Sequence, residues 1–224
     1  MIRVKICGLT NPGDVRMCAR AGADALGFVV EYPEPVPWNL SAAGARELMA
    51  AVPPFVTACL VLGGAPEHQL ALAEELHPGA VQLHGEETLE QTRRLCRALR
   101  RMGIMPIKAL RISPSGCCVG EEPDPLRAAR LYTEAGVAAL VLDAQAPGRP
   151  GGTGVPIPMA AARAVLGECR IPVILAGGLR PENVAARVAD LRPYGVDVLT
   201  GVEKSPGHKD PERVRAFLAA LGRQ

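Results

Sequence analysis

The chain has 224 residues, of which 48% are hydrophobic, and only seven side chains are aromatic: three Phe, three Tyr and one Trp. This length allows one large domain or two small ones, and the core has to be built mainly from aliphatic side chains. The 25 Lys and Arg residues nearly balance the 23 Asp and Glu, for a formal net charge of +2. Charge therefore gives no reason to expect binding to nucleic acid or to a membrane surface.

Eight short apolar runs rich in Val, Ile and Leu alternate with helix-like segments along the chain. In order, they are residues 2–6, 25–29, 55–61, 80–83, 105–110, 139–142, 172–175 and 196–199. Because each run is short and almost continuously apolar, each is typical of a strand buried on both faces of a parallel sheet. The helix-like segments between them begin at capping signals, such as Asn11 before Pro12 and Asp210 before Pro211.

The spacing of these units predicts the architecture. Dividing 224 residues by eight gives 28 per unit, a length that fits one strand, one helix and their two loops. Eight such units without a break in composition favour an α/β fold, a closed (β/α)8 barrel formed by residues 1–224 as one domain. A doubly wound open sheet is the alternative, because strand order cannot be read from one sequence.

Two features bear on where the protein resides. The apolar stretches fall well short of the roughly 20 residues that a membrane span requires, and the first residues alternate charged and apolar side chains, unlike a signal peptide. The seven cysteines form no C-x-x-C pair, so neither a disulfide framework nor a zinc cluster is expected. We expect a cytoplasmic protein without a membrane partner.

Two ionisable residues follow predicted strands at the end of a barrel where active sites form. Cys7 follows the first strand and Asp143 the sixth, so both can face one substrate across the barrel mouth. A thiol and a carboxyl can exchange protons with a substrate if their pKa values move toward the working pH. Lys5 lies two residues before Cys7 and points to the same face, where it favours a thiolate and is also a candidate substrate-binding residue. The alternative for Cys7 is an inert buried thiol.

Glycine-rich turns follow the last three strands. Without a Cβ atom, glycine lets backbone amides approach an anion closely, and barrels often bind phosphate after strands seven and eight. The candidate phosphate-binding residues are Gly152, Gly154, Gly177, Gly178 and Gly201. Tight connections between strand and helix are the alternative. The turns lack the pattern of an ATP-binding P-loop.

Three other features leave alternatives open. His84 is either a substrate contact or a structural histidine, and with no H-E-x-x-H motif or carboxylate cluster near it we predict no metal site. The Pro-rich segment 32–38 ends at the one tryptophan, Trp38, and forms either a stiff lid over the barrel or a packed loop. The adjacent Cys117 and Cys118 are expected in a surface loop.

Several sequence blocks, spread in order over almost the whole chain, together carry a family resemblance. They are residues 5–10, 81–85, 142–144 with 151–154, 176–179 with 181–184, and 195–198 with 201–203 and 206–210. In these blocks the chain resembles the phosphoribosylanthranilate isomerase family of tryptophan biosynthesis. The resemblance implies a single (β/α)8 barrel and an Amadori rearrangement of a phosphorylated sugar-amine, without a metal or organic cofactor. It also implies that Asp143 is the general acid and Cys7 the general base.

One segment departs from the family pattern. After the second strand the family usually carries Ser-Pro-Arg, whose arginine pairs with the anthranilate carboxylate, whereas residues 31–40 contain two acids and no arginine. Either another cation, such as Arg3, Arg111 or Arg149, replaces it, or the amine part of the substrate differs. A divergent aminoaldose-phosphate isomerase and a non-catalytic sugar-phosphate-binding barrel are therefore the alternative functions. Monomer and homodimer are both compatible with the sequence.

Overall fold

Eight parallel strands close into a barrel in the computed structural model, which describes residues 1–145 and 156–223. The strands are β1 (Arg3–Ile6), β2 (Ala25–Val30), β3 (Thr57–Leu62), β4 (Ala80–Leu83), β5 (Met105–Ile112), β6 (Ala139–Ala144), β7 (Val173–Leu175) and β8 (Gly195–Val198). Neighbours in this order pair in parallel, and β1 pairs with both β2 and β8, which closes the ring. The predicted (β/α)8 barrel is confirmed, and the open doubly wound sheet is wrong.

One helix follows each barrel strand. The helices are α1 (Pro12–Arg20), α2 (Ala42–Met49), α3 (Pro66–Leu76), α4 (Leu89–Arg101), α5 (Pro125–Glu134), α6 (Met159–Glu168), α7 (Val184–Leu191) and α8 (Pro211–Ala219). The side chains of Asn11 and Asp210 accept hydrogen bonds from backbone N–H groups of the first turns of α1 and α8, as their position before proline predicts. No helix in the described residues is long and apolar enough to cross a bilayer.

The core has two parts, one between the sheet and the helices and one inside the barrel. Aliphatic side chains fill most of the outer part, where Phe28 and Phe217 are fully buried. The inner part includes a small apolar layer of Ala109, Val141 and Ala176. Because side chains alternate along a strand, the next inward position after Val141 is Asp143. The barrel interior therefore changes from apolar to polar toward the C-terminal ends of its strands.

The cysteines lie in several environments, and one prediction about them was wrong. All seven, which fall within the described residues, are free thiols. Cys117 is exposed, but Cys118 is buried and forms a β-bridge with Ile112. The loop after β5 folds back onto the core, so the adjacent cysteines are not both at the surface.

A buried ion pair fixes the loop between β4 and α4. Lys108 points outward from β5, and its Nζ atom lies 2.5 Å from Oε2 of Glu87 and 2.8 Å from the Gly85 carbonyl oxygen. The other Glu87 oxygen accepts bonds from Gln69 at 2.9 Å and from the Gly85 N–H at 3.1 Å. Burial would raise the pKa of Glu87, but the Lys108 charge and these bonds outweigh it and hold the pKa below its usual range.

Replacing Lys108 with Met should destabilise the protein strongly. The change leaves Glu87 buried without a counter-ion, and breaking a buried pair in this way costs about 3–5 kcal/mol. Urea unfolding measures the free energy of unfolding. Arg46→Met is the matched control, because Arg46 pairs with Glu75 at the surface, where such a pair is worth about 1 kcal/mol or less. Equal losses in both variants would contradict a structural role for the buried pair.

Candidate active site

One cavity opens at the C-terminal ends of the barrel strands and collects most of the predicted site residues. Its wall includes both predicted catalytic residues and four predicted binding residues, namely Cys7, Asp143, His84, Gly177, Gly178 and Gly201. Lys5 lies beneath this wall. Gly152 and Gly154 fall outside the described residues. The structure therefore brings together, at one end of the barrel, residues that are up to 194 positions apart in the sequence (7 to 201).

Asp143 faces the cavity from the end of β6. Its Oδ1 atom accepts a hydrogen bond from the backbone N–H of Ala144 at 2.8 Å, and its Oδ2 atom lies 3.8 Å from Nε2 of His84. Burial, together with the nearby negative charge of Asp197, raises the pKa of Asp143 to about 6. A carboxyl with this pKa carries its proton in an appreciable fraction of molecules near neutral pH, as a general acid must.

Cys7 faces the same cavity from the end of β1, and its thiol fits into a space that glycine leaves open. A Cβ atom at Gly27 on the neighbouring strand would lie only 2.6 Å from the Cys7 Sγ atom. Burial raises the pKa of Cys7, and although the positive charge of Lys5 acts in the opposite direction, it does not outweigh the burial. The predicted influence of Lys5 on the thiolate is therefore present, but in the absence of substrate the thiol keeps its proton.

A chain of polar contacts lies under the cavity and explains why Lys5 is not free to stabilise the thiolate fully. The Lys5 Nζ atom lies 2.6 Å from Oδ2 of Asp197 and 3.0 Å from Oε1 of Gln82. The amide nitrogen of Gln82 lies 3.0 Å from Nδ1 of His84. Burial alone would lower the pKa of Lys5, but Asp197 raises it above its usual value. Lys5 thus carries a charge under the site, where it contacts Asp197 and Gln82, and its predicted contact with substrate stays a prediction.

Asp197 and Gln82 are site residues that sequence reasoning missed. Both line the cavity and both are buried. Each is a polar residue within an otherwise apolar strand, in the runs GVDV and AVQL. A buried polar side chain is costly unless it is paired. Their position in these strands was therefore a usable signal for an inward polar layer.

The glycine turns after β7 and β8 form the opposite side of the cavity. Gly177 and Gly178 have φ angles of 78° and 63°, in the left-handed region that favours glycine. The backbone at Gly201 packs so closely on the loop after β7 that a Cβ atom there would lie 1.9 Å from the carbonyl oxygen of Leu179. The two loops are therefore in direct contact, and both present main chain to the cavity.

The Pro-rich segment after β2 is a packed loop. Trp38 is buried, and its Nε1 atom donates to Oε1 of Glu203 at 2.8 Å. The same oxygen accepts from the Lys209 ammonium at 2.9 Å. Together with Tyr32, Val29 and Val61, Trp38 forms an apolar cluster around Cys7. The loop thus forms a fixed apolar side of the cavity.

The three arginines suggested as replacements for the family's arginine after the second strand differ in their position relative to the cavity. Arg3 lies at the N-terminal end of β1, far from the cavity, and pairs with Asp24 at 2.8 Å. Arg149 falls outside the described residues. Arg111, near the end of β5, lies at the mouth of the barrel.

The described residues hold no group of three or more His, Cys, Asp or Glu side chains placed to bind a metal ion. A carboxyl with a pKa near neutrality and a buried thiol instead face one cavity. Two ionisable groups that face one cavity at the C-terminal mouth of a (β/α)8 barrel are the arrangement expected of an enzyme of the acid–base class.

Comparison with known proteins narrows this class. The family model for N-(5'-phosphoribosyl)anthranilate (PRA) isomerase matches residues 4–220. The curated N-(5'-phosphoribosyl)anthranilate isomerase of Methanopyrus kandleri is 41% identical over 221 residues, which cover 98% of each chain. The chain therefore belongs to the N-(5'-phosphoribosyl)anthranilate isomerase family, and the resemblance seen in the sequence is confirmed.

Solved structures agree with this assignment. The phosphoribosyl anthranilate isomerase of Thermotoga maritima is 35% identical with a TM-score of 0.82, and the match covers 99% of this chain and 100% of that chain. A second isomerase structure, in complex with reduced 1-(o-carboxyphenylamino)-1-deoxyribulose 5-phosphate, is 34% identical with a TM-score of 0.77, with the same coverage.

The raised pKa of Asp143 can be measured directly in the protein without substrate. The infrared difference between wild type and Asp143→Asn should contain a protonated carboxyl band that disappears with a midpoint near pH 6. Asp190→Asn is the matched control, because Asp190 lies at the surface in an ion pair with Arg163. A midpoint near the ordinary value of about 4 would show that the Asp143 site does not disfavour the charged form.

Proposed function

We propose that this chain catalyses the Amadori rearrangement of N-(5-phosphoribosyl)anthranilate to 1-(2-carboxyphenylamino)-1-deoxyribulose 5-phosphate, with Asp143 as general acid and Cys7 as general base. The observation that carries this assignment is that the two groups face one cavity while the pKa of Asp143 lies near 6. We also propose that residues 1–224 form one domain. Both a monomer and a homodimer remain predictions.

In the first step, Asp143 gives its proton to the ring oxygen of the ribose. The bond between that oxygen and C1 breaks, and the nitrogen lone pair forms the C1=N double bond of an iminium. The carboxylate that Asp143 leaves behind is stabilised by the Ala144 N–H at 2.8 Å. Because burial disfavours the charged form, Asp143 still carries its proton in part of the molecules near neutral pH and can donate it to the substrate.

In the second step, Cys7 first releases its thiol proton to solvent as the positively charged iminium forms, and the resulting thiolate removes the proton from C2. The electron pair of the C2–H bond forms C1=C2, and the π electrons of the iminium return to nitrogen, which gives an enolamine. Transfer of a proton to C1 and loss of the hydroxyl proton at C2 then give the ketone. The positive charge of the iminium offsets the burial that raises the pKa of Cys7, so the thiolate is favoured when it is needed.

The two sides of the cavity suit the two ends of this substrate. The apolar cluster of Val29, Tyr32, Trp38 and Val61 beside Cys7 offers a surface for the aromatic ring. The glycine turns at Gly177, Gly178 and Gly201 expose main chain for the phosphate. Gly152 and Gly154 are proposed to complete this phosphate site. His84, which borders the cavity and contacts Gln82, is proposed to contact the substrate near Asp143.

Replacing Asp143 with Asn should lower kcat by about 10²- to 10⁴-fold, the usual contribution of a positioned general acid. Turnover of phosphoribosylanthranilate by the purified protein is the assay, and affinity for the phosphate-bearing product should change little. Asp190→Asn again serves as the surface control. If wild-type protein is folded but does not convert this substrate, the proposed function is wrong; full activity in Asp143→Asn would remove only the assigned acid.

Replacing Cys7 with Ser should also lower kcat by at least about 10²-fold, because a hydroxyl is a much weaker acid than a thiol and is seldom deprotonated near neutral pH. Serine is slightly smaller, so it fits the space beside Gly27 without displacing the main chain. Cys96→Ser is the matched control, since Cys96 is equally buried but lies on α4 behind the barrel. A similar loss in both variants would point to a packing effect.

A further inference from the structure

Arg111 is a cation at the mouth of the barrel that the mechanism above does not use. It pairs in register with Asp143 on the neighbouring parallel strand, so the two side chains point to the same side of the sheet. Two residues earlier on each strand, Ala109 and Val141 pack together inside the barrel. Arg111 therefore faces inward beside Asp143, at the level of the cavity.

Arg111 forms an ion pair with an exposed glutamate, which another carboxylate can replace. Its Nη2 atom lies 2.7 Å from Oε1 of Glu86, and the Arg111 side chain is only 11% exposed whereas that of Glu86 is 67% exposed. An exposed glutamate gains little from such a pair, since water already solvates its charge. The Arg111 side chain is therefore mostly buried, while the Glu86 carboxylate is mostly in solvent and loses little if the pair breaks.

Two other cationic side chains near the site form salt bridges with buried carboxylates. Lys5 lies 2.6 Å from Asp197, and Lys209 lies 2.9 Å from Glu203. The loop after β2 contributes acids in place of a cation: Glu31 pairs with His68 at 3.0 Å. Arg111 thus differs from these groups, because its counter-ion is an exposed surface side chain.

The position of Arg111 also fits the layout of the cavity. On one side of β5, only β4 lies between it and β3, a strand of the apolar side of the cavity. On the other side, β5 is next to β6, which carries Asp143. The Tyr32 hydroxyl donates to the His84 carbonyl oxygen at 3.2 Å, which brings the apolar loop over β4 toward Arg111. Burial raises the pKa of Tyr32 to about 12, and the positive charge of Arg111 acts against this rise.

We propose that Arg111 determines specificity by binding the carboxylate of the substrate's aromatic amine, which displaces Glu86. This assignment rests on the isomerase function proposed above. A planar guanidinium matches a carboxylate with two parallel hydrogen bonds. The phosphate is then bound at the turns after β7 and β8 and the carboxylate at β5. These two binding points lie on opposite sides of Asp143 on β6, so the sugar between them is positioned next to its carboxyl group.

The test compares two ligands, reduced 1-(o-carboxyphenylamino)-1-deoxyribulose 5-phosphate and the same molecule without its carboxyl group. Calorimetry should show that Arg111→Gln weakens the carboxylated ligand about 30-fold or more, as expected when one partner of a charge pair is removed. The ligand without the carboxyl should bind wild type and Arg111→Gln about equally. Arg111→Lys should recover only part of the loss, because lysine cannot form the two parallel bonds.

Two further variants sharpen the outcome. Glu86→Gln removes the competing carboxylate and should tighten binding of the carboxylated ligand, while Arg93→Gln, a surface arginine on α4 paired with Glu90, should leave both ligands unaffected. Equal weakening of both ligands in Arg111→Gln would assign a structural role to the residue and overturn the proposal. No weakening would overturn it too. In either case wild-type turnover of phosphoribosylanthranilate would leave the proposed function intact.

Discussion

The buried ion pair between Lys5 and Asp197 governs the chemistry of the barrel mouth. It joins the first strand to the last at positions that pair in register, so it also lies on the seam that closes the barrel. Two charges taken out of water are tolerated only when they pair well and other bonds satisfy them, and Gln82 supplies one such bond. Burial raises the pKa of Cys7 and keeps it a thiol at rest, and the negative charge of Asp197 adds to this by opposing the effect of Lys5. The same aspartate adds to the burial that raises the pKa of Asp143.

A raised pKa also has a cost in stability. A carboxyl that binds its proton more tightly in the folded state stabilises the fold most at low pH, and that contribution is lost as pH rises through the folded pKa. For Asp143, the pKa rises from 3.8 to about 6. The free energy of unfolding is therefore lower at neutral pH than at low pH by about 3 kcal/mol. The folded protein tolerates this because a barrel of this size has a large aliphatic core. The acid–base role proposed for Asp143 and the stability of the fold therefore conflict at this residue.

The fold was largely predictable from the sequence, whereas the site was predictable only in part. Apolar runs such as residues 80–83 and 139–142 are buried on both faces, so their composition alone identified parallel strands. The inward polar layer was harder, because Asp197 matters through its distances to Lys5 and Asp143 across the barrel, and no local pattern contains those distances. The same reason explains Cys118: a loop rich in turn residues predicted exposure, but its packing on Ile112 depends on how the chain returns to β5.

The bond from Trp38 to Glu203 has a practical consequence. The chain contains a single tryptophan, and this bond fixes its indole in the apolar side of the cavity. Excitation of tryptophan therefore reports on one defined location, next to Cys7 and across from the glycine turns. Occupation of the site changes the polarity and the collisional environment of that indole alone, so the protein carries a built-in optical probe whose signal contains no contribution from a second tryptophan.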